Sequence, residues 1–238
     1  MDPGGDESAR HAEVLSTVSH DIRAPLGVIL AAVSELLDPR VGPLTDEQRA
    51  LVQLVRRSSE RLSRLAANVF FLKRAGAGDL ALSRQPLDLR DLARRAIDGF
   101  ERSGEIAKKP SVTLHVPGER VEVQGDAELL LHACTNVLAN AVRAARAQIV
   151  VTVAGGGEAP AVLVEDDGPG IPASLIRLLF DPGAQLDRNE RSPRGLGLPI
   201  TRRIVDAHGG VLTAEIRFDN ENRPVGTCVR IGLLRPQL

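Results

Sequence analysis

The sequence predicts an α + α/β protein: a helical hairpin that pairs into a dimeric four-helix bundle, followed by a two-layer α/β sandwich. Three observations carry this expectation. Apolar residues in two N-terminal segments recur at alternating spacings of three and four. Segments bearing Pro and Gly interrupt those patterns. Beyond them, strand-like runs alternate with helical patterns, as expected for helices laid on a mixed sheet.

The first helix places Leu15, Val18, Ile22, Pro25, Ile29, Ala32 and Leu36 on one narrow seam. The second repeats the pattern with Leu51, Val55, Ser58, Leu62, Leu65, Val69 and Leu72. Between them, Asp38-Pro39-Arg40-Val41-Gly42-Pro43 cannot continue a helix. Thr45-Asp46-Glu47-Gln48 offers an N-cap with acids in the first turn. Two helices alone bury too little apolar surface, so a homodimer of hairpins is expected. The chain then reads as a flexible N-terminus over 1–10, a hairpin domain over 11–76, a linker over 77–87 and the sandwich over 88–238.

In the sandwich, a helix follows Leu89, and strands are expected near Val112–Val116 and Val121–Val123. A helical pattern spans Ala127 to Ala147, then strands near Ile149–Val153 and Ala161–Val164. Another helix runs from Leu196 to Ala207, and strands near Val211–Phe218 and Gly226–Leu233 close the chain.

A net charge of −1, no Trp or Tyr and only five Phe leave neither a basic field nor stacking platforms for nucleic acid. No apolar run approaches a bilayer span, and the acidic start Met1–Glu7 has no apolar signal segment, so a cytoplasmic protein without membrane insertion is expected. Cys134 and Cys228 fall in helical and strand-like patterns and read as buried free thiols.

Four clusters carry chemistry. His20 falls at heptad position f, opposite the seam; it is either an ordinary solvated histidine or a group that must reach another domain. Asp21 follows it and can orient the imidazole, while Pro25 removes a helix hydrogen bond one turn later. Asn136 and Asn140 stand one turn apart, and their amide oxygens suit Mg²⁺ held mainly by phosphate and water. Arg143 can reach toward the same phosphates, although polar residues on a helix surface need no ligand. Asp166 opens Asp166-Asp167-Gly168-Pro169-Gly170, where a carboxylate can accept from an exocyclic amine and the glycines admit a ligand close to backbone; the same residues also make a simple turn. Gly195-Leu196-Gly197-Leu198 opens a helix whose N–H groups and dipole favour phosphate.

In order and spacing these clusters resemble the H, N, G1 and G2 boxes of the sensor histidine kinases of two-component signalling, over about residues 10 to 235. The resemblance implies the ATP-binding fold shared with type II topoisomerases, Hsp90 and MutL. It implies phosphorylation of His20 from Mg·ATP with Asp21 as base, then transfer to an aspartate of a response-regulator receiver. Asn140 becomes the Mg²⁺ ligand, Asn136 helps organise the metal, and Arg143 contacts phosphate. Asp166 reads the adenine amine beside Gly168 and Gly170, and Gly195 and Gly197 line the phosphates. Residues 181–194 would form a lid over ATP, and the sensory input would come from a partner or an upstream segment.

Two departures stand out. Ser192-Pro193-Arg194 replaces the first glycine of the usual G-x-G-L-G-L, and Gly183 stands where a second Phe is common after Phe180. They support an alternative, a pseudokinase or receiver-docking relay without ATP-dependent autophosphorylation. A gyrase- or MutL-like ATPase is disfavoured, because no glutamate base stands in the N box.

Overall fold

In the computed structural model, which describes residues 25–76, 80, 82–103, 110–156, 159–172, 176, 180 and 197–235, the chain divides into two units, Met1–Leu80 and Ala81–Leu238. The helical hairpin and the α/β sandwich expected from the sequence are both present.

In the first unit, α1 is helical over residues 25–36 and α2 spans Asp46–Gly76. The connection behaves as its residues dictate. Asp38 accepts from the Arg40 backbone N–H at 2.9 Å, and the Arg40 side chain returns to the same carboxylate, closing a tight turn. The Thr45 hydroxyl accepts from the Gln48 N–H at 3.2 Å, and the Gln48 side chain accepts from the Thr45 N–H at 3.0 Å. That reciprocal pair is a capping box, and it fixes where α2 starts.

Burial within the hairpin differs from the expected seam. Leu26 and Val33 are buried on α1, and Ser59 and Ala66 on α2, each pair seven residues apart. Ile29 and Leu36, and on α2 Leu51, Val55 and Leu62, remain exposed in the single chain. Each helix therefore carries two apolar stripes, of which one chain covers only one.

The second unit begins with β1 (Gln85–Asp88), paired antiparallel with β3 (Glu122–Gly125). Residues 85–87, expected from the sequence to belong to the linker, lie in this strand, which includes Pro86. An edge position tolerates it, since β3 is the only strand paired with β1 among the described residues. Then come α3 (Leu89–Ser103), β2 (Ser111–His115), α4 (Ala127–Ala144), β4 (Gln148–Ala154) and β5 (Ala161–Asp166). The unit closes with α5 (Gly197–Ala207), β6 (Val211–Phe218) and β7 (Pro224–Gly232).

The larger sheet has the order β2-β4-β5-β7-β6, with β2 parallel to β4 and the remaining pairs antiparallel. Alternation decides its faces. Ile149, Val151 and Val153 of β4, Val162 and Val164 of β5, and Val229 and Ile231 of β7 are buried. They share the core with Leu92 and Phe100 of α3, Leu130, Val137 and Leu138 of α4, and Ile200 and Ile204 of α5. Each such side chain contributes about 1.5–3 kcal/mol relative to exposure.

Helix α4 ends at Ala144, three residues before the end the apolar pattern suggests. The N–H groups of Arg146, Ala147 and Gln148 donate to the Asp167 carboxylate, so they leave the helical ladder. Helix α5 ends in a Schellman arrangement: Gly209 (φ +73°) donates to the Asp206 carbonyl and Gly210 to the Val205 carbonyl, both at 2.9 Å.

Candidate nucleotide site

Helix α4 carries the first group of candidate side chains, and Asp126 sets its start. The Asp126 carboxylate accepts from the N–H groups of Glu128 and Leu129 at 3.2 and 3.1 Å, and from Ser83 at 3.1 Å. Three turns on, Asn136 is buried and donates its amide to the Gly197 carbonyl at 3.4 Å. The Thr201 hydroxyl donates to that carbonyl at 2.8 Å. The mouth of α5 is thus tied to the middle of α4.

Asn140 is half-buried one turn later, and its side-chain oxygen accepts from the Arg143 guanidinium. Arg143 also donates to the Ala139 carbonyl at 3.2 Å. Among the described residues no group of three or more His, Cys, Asp or Glu can cage a metal ion. A single amide oxygen instead fits Mg²⁺, which keeps several waters and arrives with substrate phosphates. In such a site Asn140 would hold the ion and Arg143 would meet phosphate charge.

Asp166 closes β5 and is 5% exposed. One of its oxygens accepts from the Gly168 N–H at 2.9 Å. Burial pushes the carboxyl above its ordinary value, against hydrogen bonds from the backbone of Gly168 and Thr227. A buried carboxylate at a strand end, beside a glycine turn, suits recognition of an amine-bearing ring.

Gly168 is required by approach: a Cβ there would stand 2.6 Å from the Ala144 carbonyl oxygen and 2.7 Å from the Asp166 carboxylate. Gly170 takes φ +75°, which favours glycine. The turn after β5 therefore meets the last turn of α4, and the two candidate clusters adjoin.

Of the residues singled out from the sequence, Asn136 and Gly197 touch, Asn140 and Arg143 touch, and Asp166 and Gly168 share a hydrogen bond. His20, Asp21 and Gly195, and the lid expected over 181–194, lie outside the described residues. Three neighbours escaped sequence reading. Thr227, buried on β7, donates its backbone N–H to Asp166; a polar residue in phase with Val229 and Ile231 was its signal. Asp126, an acid directly before an apolar helical pattern, carried an N-cap signal. Asp167 looked like part of a turn, and its partners follow only from the fold.

Helices on one face of a mixed sheet, with a buried carboxylate, a glycine turn and an asparagine-bearing helix at one end, define a nucleotide-binding sandwich. Residues 125–237 match the family of histidine kinase-, DNA gyrase B- and HSP90-like ATPases, and residues 10–78 match the His kinase A phospho-acceptor domain. The chain belongs to the sensor histidine kinases and comprises their catalytic core.

Among curated relatives, the circadian input-output histidine kinase CikA of Synechococcus elongatus is 33% identical over 217 residues, covering 87% of this chain and 28% of its own length. The probable sensor histidine kinase TcrY of Mycobacterium tuberculosis is 32% identical over 206 residues, covering 84% of this chain and 42% of its own. The chain thus spans less than half the length of these relatives. Among solved structures, the mycobacterial sensor histidine kinase MprB superposes with a TM-score of 0.52 at 26% identity, over 65% of this chain and 99% of that one. Full-length ShkA in complex with AMPPNP gives 0.63 at 24% identity, over 95% of this chain and 47% of that one.

Proposed function

We propose that this chain works as an ATP-dependent protein histidine kinase: the second unit binds Mg·ATP, His20 attacks the γ-phosphate, and the phosphoryl group passes to a receiver aspartate. The observation that carries the reading is Asp166, a buried carboxylate at the end of β5, adjoining the helix that bears Asn140 and Arg143. The adenine amine would donate to Asp166, and Asn140 would hold Mg²⁺ against the triphosphate. Asp21 would take the proton that His20 loses. Catalysis in this scheme is positioning plus charge neutralisation.

Exposed Ile29, Leu36, Leu51, Val55 and Leu62 support a homodimer, since a second hairpin would cover them. We place the reaction in the cytoplasm, with a response-regulator receiver as acceptor and the stimulus supplied by a sensor partner or an upstream segment. No helix among the described residues is long and apolar enough to cross a membrane.

Incubation with γ-labelled ATP tests the reading. Acid-labile, base-stable label is expected on the unmodified chain and absent from His20→Gln. Label that persists on His20→Gln would overturn the acceptor, and its absence from the unmodified chain would favour the relay reading.

A further inference from the structure

We infer that Asp167 is a positioning residue for nucleotide binding: its carboxylate staples the adenine-side turn to the end of the helix that carries the metal and phosphate ligands. The inference rests on the nucleotide reading of this site.

The Asp167 carboxylate receives three successive backbone N–H groups directly after Ala145, the C-cap of α4. Arg146 donates at 2.7 Å, Ala147 at 3.1 and 3.0 Å to the two oxygens, and Gln148 at 3.2 Å. Burial pushes the carboxyl up, but these donors outweigh it and hold it below its ordinary value. Next to it, Gly168 passes so close to the Ala144 carbonyl that no Cβ fits between them. A carboxylate clasp and a backbone contact therefore lock residues 166–168 against the last turn of α4.

On one side of the clasp stands Asp166. On the other, within one to two turns, stand Arg143 and Asn140. Nothing covalent sets the distance between these two halves of the site short of the α4–β4–β5 path. Binding groups held in place beforehand lose less freedom when the ligand docks, so loosening the clasp weakens affinity.

Asp88 supplies an internal comparison. Like Asp167 it accepts backbone N–H groups, from Arg90 at 3.0 Å and Val121 at 3.3 Å, although its side chain is the more deeply buried of the two. Its clasp joins β1 and α3 to the segment before β3, and it borders none of the candidate ligands. Loss of either clasp should loosen the fold, while only the Asp167 clasp should set nucleotide affinity.

Calorimetric titration of Mg·ADP into the full chain, with a melting curve for each variant, tests this. Asp167→Ala is expected to raise Kd by about tenfold or more and to raise the autophosphorylation KM for ATP in parallel, with kcat at saturating ATP little changed. Asp167→Asn should fall between, because its amide oxygen can still accept from Arg146 and Ala147; it also serves if the alanine variant fails to fold. Asp88→Ala should melt earlier and keep the unmodified Kd. Unmodified Kd in both Asp167 variants overturns the inference, as does an equal rise in Asp88→Ala. An unmodified chain that binds no Mg·ADP overturns the nucleotide reading itself.

Discussion

The backbone N–H of Asp126 donates to Nε2 of His208 at 2.9 Å, joining residues 82 apart in the chain. Nδ1 of the same ring stands 2.7 Å from the Ile204 carbonyl, so the imidazole is neutral with its proton on Nδ1. The ring links the start of α4 to the end of α5, while Asn136 and Gly197 link the middle of α4 to the start of α5. Arg84, just before β1, donates to the Ala207 carbonyl at 3.1 Å and closes the same corner. The two helices that bear the nucleotide candidates are thereby pinned at two levels.

This pin predicts a pH dependence of stability. Burial pushes His208 below its ordinary value of 6.5; the Ile204 carbonyl and Asp126 oppose that shift, and Arg84 adds to it. The unfolded chain then binds more protons than the folded one between the two values, so stability falls with acidification. It should be full above pH 6.5 and decline as pH drops through the lowered folded value. Urea midpoints between pH 8 and 5 should show this slope, and His208→Gln, which cannot titrate, should flatten it.

Nucleotide recognition should depend on ionised Asp166. Burial raises its pKa, so the carboxylate is lost at a higher pH than an ordinary aspartate as the solution is acidified. Binding of ADP should weaken over that range. Asp166→Asn, which presents an amide N–H where an acceptor is needed, should weaken it about tenfold or more at neutral pH. Equal ADP affinity for Asp166→Asn and the unmodified chain would remove Asp166 from the site.

The exposed stripe of the hairpin should hold the dimer. Leu51 is 63% exposed and Leu62 51% in the single chain. Burying each in a partner is worth about 1.5–3 kcal/mol, so Leu51→Glu with Leu62→Glu should give monomers. Light scattering at micromolar concentration checks this, and a monomeric mass for the unmodified chain would count against the bundle.

Neither cysteine should be reactive in the native protein. Burial pushes the Cys134 thiol up to about 12, and burial with the Glu165 and Glu215 carboxylates pushes Cys228 up to about 11. Thiolate is the reacting species, so a disulfide reagent at pH 8 should titrate both only after unfolding. Prompt reaction in the folded chain would contradict the burial of Cys134 or, at half-buried Cys228, its raised pKa.

Sequence alone determined the elements whose signals are local. Asp38–Pro43 and the Thr45–Gln48 box set the hairpin turn, and alternation set the strands from β4 to β7. The order of the four boxes marked Asn136, Asn140, Asp166 and Gly197 as candidates, because their residue types suit the proposed nucleotide chemistry. Tertiary structure alone decided what depends on distant partners. Leu26 and Val33 are buried while Ile29 and Leu36 stay exposed, because each helix has two apolar stripes and periodicity does not rank them. Pro86 sits in a strand because β1 is an edge, and α4 does not continue past its cap Ala145 because Asp167 withdraws the N–H groups of Arg146, Ala147 and Gln148. The Asp126–His208 pin joins residues that no short-range preference connects. Local propensities act over a few residues, whereas burial and hydrogen-bond satisfaction are settled between segments that meet only when the sheet has formed.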